Sequence, residues 1–122
     1  MKLRIKSNSL RYRLTRTDVA QLTKVGFLED EVNFGQQSLL YALQLTEGDR
    51  LSASFINNTI TLFMPKSMID EMADPDKVGF ENSEGGLHLL VEKDFTCLDS
   101  VAEDQSDNFP NPLAERDYEE EG

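Results

Sequence analysis

The sequence predicts an α+β fold in which about eight short strands form an antiparallel meander with two short helices. Three observations lead to this prediction. Apolar and polar residues alternate in short runs, pairs of turn residues separate those runs, and two segments begin and end like helices. Because the connections are short, we expect consecutive strands to be antiparallel neighbours in one curled sheet or partial barrel.

A β-hairpin is predicted at the N-terminus, with a two-residue turn at Ser7-Asn8. In this register, four apolar side chains share one face: Leu3, Ile5, Leu10 and Tyr12. The cations fall on the other face, where Arg4 lies opposite Arg11 and Lys2 opposite Arg13. A slip of one residue would mix the two faces, so the register is well specified.

Two further hairpins are predicted from their turn residues. The pair Asn57-Asn58 fits a type I′ turn that places Phe55 opposite Ile60, and Gly85-Gly86 turns the last hairpin. Residues 27–34 and 38–46 alternate as strands do. No internal repeat is evident.

Both helices are predicted from their ends. Thr15 with Asp18 forms the pattern of a capping box, and Gly26 ends the first helix. Ser67 with Asp70 is the corresponding pattern for a second, short helix that ends at Asp74-Pro75.

The composition predicts one domain, residues 1–112, followed by an acidic and disordered tail, residues 113–122. The 122 residues include 12 cations and 23 acids, a net charge of −11. This charge makes nucleic-acid binding an unfavourable hypothesis. There is no apolar run of membrane-spanning length and the single cysteine is Cys97, so we expect a cytoplasmic protein that does not enter a membrane.

The basic hairpin face is the candidate functional site. Like charges opposite each other on a strand pair cost up to roughly 1 kcal/mol unless an anion lies over them. The chain itself supplies such anions in Glu29, Glu31 or the acidic C-terminal segment. A second possibility is an external phosphate, nucleotide or acidic partner. A third is that the cations stay solvated while their long stems cover apolar surface. The candidate anion contacts are Arg4, Arg11, Arg13 and Lys93.

Two clusters of potential metal ligands occur in the sequence, and neither predicts a metal site. The first consists of His88, Glu92, Asp94, Cys97 and Asp99, but His88 and Glu92 lie about 13 Å apart along a strand. The second, residues 103–107, lacks the glycine and terminal glutamate of a calcium-binding loop. No nucleotide-binding loop or hydrolase motif occurs, so no cofactor and no catalytic residue is predicted.

Two stretches resemble a known family. The opening, residues 2–14, and the closing stretch from Glu92 to Pro112, including Phe95 and Phe109, resemble a family of small bacterial proteins of similar length that is known only as a domain of unknown function. The resemblance implies a bacterial origin, a stand-alone domain and an ordered segment over residues 92–112. It implies no activity and no functional residues.

The leading functional hypothesis is a non-enzymatic cytoplasmic binding protein whose basic hairpin face engages an anionic group, either of its own C-terminal segment or of a ligand. The alternative is a small metal-dependent enzyme acting on a phosphorylated substrate, with a divalent ion on Glu92, Asp94 or Glu103. A third hypothesis is a homo-oligomer formed through exposed strand edges.

Overall fold

The structure, a computed structural model, describes residues 1–95 and 107–110. In this part of the chain the strands are β1 (Lys2–Lys6), β2 (Ser9–Leu14), β3 (Phe27–Asn33), β4 (Ser38–Thr46), β5 (Ser52–Ile56), β6 (Thr59–Pro65), β7 (Gly79–Glu84) and β8 (Leu87–Lys93). The helices are α1 (Arg16–Val25), between β2 and β3, and α2 (Lys66–Glu71), between β6 and β7.

The three predicted hairpins are confirmed in their register. Arg4 pairs with Arg11 across β1 and β2, and Phe55 pairs with Ile60 across β5 and β6. Asn57 and Asn58 both have positive φ, 51° and 61°, as a type I′ turn requires. Each hairpin is specified locally, because its turn residues and its alternating pattern favour the same pairing.

The predicted antiparallel meander is only partly right. The strands form two four-stranded mixed sheets, in the orders β1-β2-β8-β7 and β3-β4-β6-β5. The central pairs, β2 with β8 and β4 with β6, are parallel. The two sheets pack face to face and do not close into a barrel. Short connections did set the neighbours within each hairpin, but the hairpins themselves pair over long sequence separations.

The chain also contains a structural repeat that the sequence analysis missed. Its first half (β1, β2, α1, β3, β4) and its second half (β5, β6, α2, β7, β8) have the same order of elements. The first hairpin of each half pairs with the second hairpin of the other half, so each sheet is built from both halves. Three pairs of fully or almost fully buried residues lie fifty positions apart: Tyr12 and Leu62, Leu14 and Met64, Leu22 and Met72.

Backbone hydrogen bonds repeat in the same way. The amide of Leu40 donates to the carbonyl of Asn58, and the amide of His88 donates to the carbonyl of Asn8, both at 2.9 Å. The amide of Leu45 donates to the carbonyl of Gly26, and the amide of Lys93 donates in the same way to the carbonyl of Val78, both at 2.9 Å. The two halves are therefore related by an approximate two-fold axis, and residues of the paired strands in one half have equivalents in the other.

The core lies between the two sheets. Its fully buried side chains come from both of them, and the hydroxyl of Tyr12 donates to the carbonyl of Ile60 across the gap. Burial raises the pKa of Tyr12 well above its ordinary value, so this phenol stays a hydrogen-bond donor. The outer faces of the sheets are left to carry the polar side chains.

The helix ends agree with prediction at α1 but not at α2. Thr15 and Asp18 form the expected capping box, and Gly26 takes the left-handed conformation at φ 84°. Pro65, not Ser67, precedes α2, and no side chain caps that helix. Ile69 and Met72 are buried instead, so packing holds α2 in place. Within residues 1–95 and 107–110, neither helix has the length and apolar character needed to cross a membrane.

We expect Gly79→Ala to lower the free energy of unfolding by about 2 kcal/mol, since overpacking of a close contact costs this much. An added Cβ would lie against the carbonyl oxygen of Val91 and 2.7 Å from Cβ of Glu92. The matched control is Gly48→Ala, whose Cβ would make an ordinary contact of 3.6 Å with Thr46. Urea unfolding measures both. Equal stability of the two variants would contradict the close β7–β8 contact.

Candidate functional site

The predicted basic face exists on the outer side of the sheet β1-β2-β8-β7. The side chains of Lys2, Arg4 and Lys6 on β1 and of Arg11 and Arg13 on β2 belong to the face opposite the core. Arg4 and Lys6 are exposed, and Arg11 and Arg13 are half-buried. Three of the four predicted anion contacts are therefore brought together.

The counter-charge for two of these arginines is Glu92 on β8. The parallel register places Glu92 beside Arg13, and its Oε1 accepts a hydrogen bond from Nε of Arg13 at 3.0 Å. The same oxygen lies 3.4 Å from Nε of Arg11. At the far end of β1, the Lys2 ammonium forms an ion pair with the buried carboxylate of Asp94 at 3.1 Å. One end of the face is thus neutralised from within the sheet.

The other end, next to the Ser7-Asn8 turn, keeps its positive charge. In the part of the chain that the structure describes, Arg4 and Lys6 form neither an ion pair nor a side-chain hydrogen bond. They line a cleft of about 170 Å³ together with Ser9 and Arg11. The cleft offers guanidinium, ammonium and hydroxyl donors, and it has no carboxylate in its lining.

Two of the counter-charges predicted from the sequence, Glu29 and Glu31, are not the ones observed, and most of the third, the acidic C-terminal segment, lies outside the described residues. Glu29 and Glu31 lie on β3, in the other sheet, and form no ion pair with the arginines among the described residues. The sequence pattern suggested Glu92 as a possible metal ligand, not as a partner of the arginines. Glu92 lies beside Arg13 because β2 and β8 pair in parallel. That pairing can be recognised only from the repeated arrangement of the hairpins.

Lys93 is the one predicted anion contact that lies elsewhere. It follows Glu92 on β8, so its side chain points to the opposite side of the sheet. Only 4% of the residue is exposed, and its Nζ donates to the carbonyl of Asp74 at 2.8 Å. Lys93 therefore does not contribute to the basic face.

The metal-site clusters weighed from the sequence are not assembled in the part that is described. His88 contacts Ser83 and Glu81, whereas Glu92 contacts the arginines. Residues 1–95 and 107–110 contain no group of three or more potential metal ligands. Cys97, Asp99 and residues 103–106 lie outside the described residues. The enzyme hypothesis gains no support from this geometry.

A short C-terminal segment, residues 107–110, lies against the body of the protein. The hydroxyl of Thr17 donates to Oδ1 of Asp107 at 2.9 Å, and this hydrogen bond is the largest cause that lowers the pKa of the Asp107 carboxyl. The amide of Phe109 donates to the carbonyl of Asp94. The rings of Phe95 and Phe109 meet edge to face at 6.4 Å. These contacts join residues 107–110 to the body of the protein, while residues 96–106 and 111–122 lie outside the described residues.

Comparison with known proteins gives one match. A model of a family of unknown function covers residues 1–113 of this chain. No curated protein and no solved structure matches this chain. The resemblance noted for the opening and closing stretches is therefore confirmed at the level of the family, and the comparisons assign no activity.

We expect Glu92→Gln to lower the free energy of unfolding by about 0.5–1 kcal/mol, the upper part of the range for partly exposed ion pairs. The reason is that Arg11 and Arg13 would lose their shared counter-charge and repel each other and their β1 neighbours. Because salt screens such repulsion, the loss should shrink between about 0.01 M and 1 M ionic strength. Urea unfolding at both ionic strengths measures this loss of stability.

The matched control is Glu47→Gln, which changes the net charge equally. Glu47 pairs with Lys66, but both side chains are largely exposed. We therefore expect Glu47→Gln to leave the free energy of unfolding almost unchanged. A loss at Glu92 that is no larger than at Glu47, or that does not depend on salt, would contradict the role given to Glu92.

Proposed function

Because this chain belongs to the family of unknown function DUF7009, we propose its function from the site alone: it is a non-enzymatic binding protein whose basic hairpin face engages an anionic group. The anion is held at the turn end of the face. Arg4, Lys6 and Arg11 supply the charge, and Ser9 supplies a hydroxyl.

The observation that carries this proposal is the uneven neutralisation of the face. Asp94 pairs with Lys2, and Glu92 is shared between Arg13 and Arg11. At the turn end, Arg4 lies opposite Arg11 and, like Lys6, has no acidic partner of its own among the described residues. Adjacent guanidinium groups on a rigid strand pair are well suited to phosphate or carboxylate oxygens. An anion in the cleft would turn a repulsive arrangement into an attractive one.

The size of the cleft limits what it can hold. Ligand pockets for whole small molecules usually measure about 300–1,000 Å³. This cleft, at about 170 Å³, matches a single anionic group. The proposed ligand is therefore a molecule that presents one phosphate, pyrophosphate or carboxylate while the rest of it stays outside.

Two sources of that anion remain within the proposal: the acidic C-terminal segment of the chain and a separate ligand. The segment from Asp99 to the end contains nine acids and one cation, Arg116. The net charge of −11 disfavours long nucleic acids as the separate ligand. A cytoplasmic location stays a prediction from composition.

We expect the double variant Arg4→Gln/Arg11→Gln to bind pyrophosphate at least tenfold more weakly than the wild type, because each hydrogen bond to a charged group contributes about 1.5–3 kcal/mol. Isothermal titration at low ionic strength measures the dissociation constant. The double substitution removes two positive charges, so the matched control is Arg50→Gln/Lys66→Gln, which alters exposed cations outside the cleft. Equal weakening in both double variants would show that only the net charge acts, and would overturn the proposed site.

A variant that ends at Pro112 tests the tail, residues 113–122, as the source of the anion. If the tail occupies the cleft, its removal should raise the affinity for pyrophosphate in a way that depends on Arg4 and Arg11. An unchanged affinity would show that residues 113–122, which carry five of the nine acids, do not occupy the cleft. A wild type and a truncated protein that both fail to bind pyrophosphate would remove the basis of the proposal.

A further inference from the structure

A second cavity lies on the other side of β8, away from the basic face. It measures about 340 Å³, within the range of small-molecule sites. Its walls are mainly apolar: Met72, Ala73, Pro75, Phe95, Phe109 and Pro110. The C-terminal end of α2 and the segment that follows it form one side, and the docked residues 109–110 form another.

The cavity contains one buried amine, that of Lys93. Nζ donates to the carbonyl of Asp74 at 2.8 Å and lies 5.1 Å from the centre of the Phe109 ring. A lysine ammonium has three hydrogens to donate, and the carbonyl takes one. A buried amine with unused donor capacity at the wall of an apolar cavity is the pattern of a specificity-determining polar group.

The ammonium of Lys93 already has carboxylates near it. Asp76 is the other ionisable residue in its lining, and its carboxylate opposes the charge of Lys93. Burial is the main cause that lowers the pKa of Lys93, and the nearby carboxylates of Asp74 and Asp76 act against it. A ligand that carried its own charge would therefore bring an uncompensated charge into a largely apolar space.

From this geometry we propose that the cavity is a second binding site, which takes a small neutral molecule with an apolar or aromatic body and a carbonyl or amide oxygen that accepts a hydrogen bond from Lys93. The apolar walls, which include Phe95 and Phe109, hold the body. This site is independent of the anion-binding function proposed above, because it uses none of the same side chains.

The repeat in the fold supplies a way to remove the amine without disturbing the backbone. The equivalent of Lys93 in the first half is Leu45, whose amide makes the matching hydrogen bond, to Gly26. A shorter, apolar side chain therefore occupies the equivalent position in the same fold. Lys93→Leu is the test variant, and Lys66→Leu, which changes an exposed lysine outside the cavity, is its matched control.

The experiment uses benzamide as the probe and the methionine methyl groups as reporters. The chain has four methionines, of which Met72 lines the cavity and Met64 lies in the core. In the full-length protein with ¹³C-labelled methionine methyls, benzamide should shift the Met72 signal in a saturable way and leave Met64 unchanged. Lys93→Leu should weaken benzamide binding at least fivefold, and Lys66→Leu should not change it.

Two charged analogues test the ligand class. Benzoate and benzylamine have the same ring but carry a negative and a positive charge, and both should bind more weakly than benzamide. Tighter binding of either would overturn the assignment of a neutral ligand. The absence of a saturable Met72 shift, or the same affinity in Lys93→Leu as in the wild type, would overturn the site itself. An intact Met64 signal in each variant shows that the fold has been kept.

Discussion

The parallel pairing of β2 with β8 is the interaction on which both candidate sites depend. Its register sets Arg13 beside Glu92 and Leu14 beside Lys93. Because side chains alternate along a strand, Glu92 points to the outer face and Lys93 to the inner side. A shift of one residue would exchange them, burying the carboxylate and leaving the arginines without their counter-charge. One strand register thus separates a charged surface from an apolar cavity.

The repeat shows which features of the basic face the fold itself requires. In the second half, the positions equivalent to Lys2, Arg4 and Arg11 are occupied by Ser52, Ser54 and Thr61. The equivalent of Glu92 is Gln44, which lies beside β6 as Glu92 lies beside β2. The second hairpin therefore forms the same pairings with uncharged side chains. The cations and their acidic neighbour are an addition to one half only, and folding does not account for them.

Local structure could be predicted from the sequence, whereas long-range pairing could not. The turns at Ser7-Asn8 and Asn57-Asn58 and the capping box at Thr15 are specified by residues within a few positions of each other. The pairing of hairpins across halves depends on inner-face packing, to which many apolar residues are equally suited. The repeat is not visible in the sequence because equivalent positions share their degree of burial but not their residue type. Tyr12 corresponds to Leu62, and the helix cap Thr15 corresponds to Pro65. The clustering of Arg4, Arg11 and Arg13 followed from the hairpin register, and Lys93 could not be placed without knowing its neighbours.

The proposed binding role rests on the energetic balance of the basic face. A like-charge pair across two strands is unfavourable by up to roughly 1 kcal/mol, and an exposed ion pair returns a similar or smaller amount. At the end near Lys2 and Arg13 the two contributions offset each other, since Asp94 and Glu92 are close by. Next to the turn, Arg4 lies opposite Arg11, whose single acidic neighbour, Glu92, also serves Arg13. The equivalent residues Ser54 and Thr61 form the same strand pair without charge. A group that makes this arrangement favourable has to be negative, and it has to fit a cleft of about 170 Å³. Such a group would be bound more tightly because the cations of the unbound face repel each other. Part of the binding free energy would come from relief of this repulsion, which is already present in the folded chain.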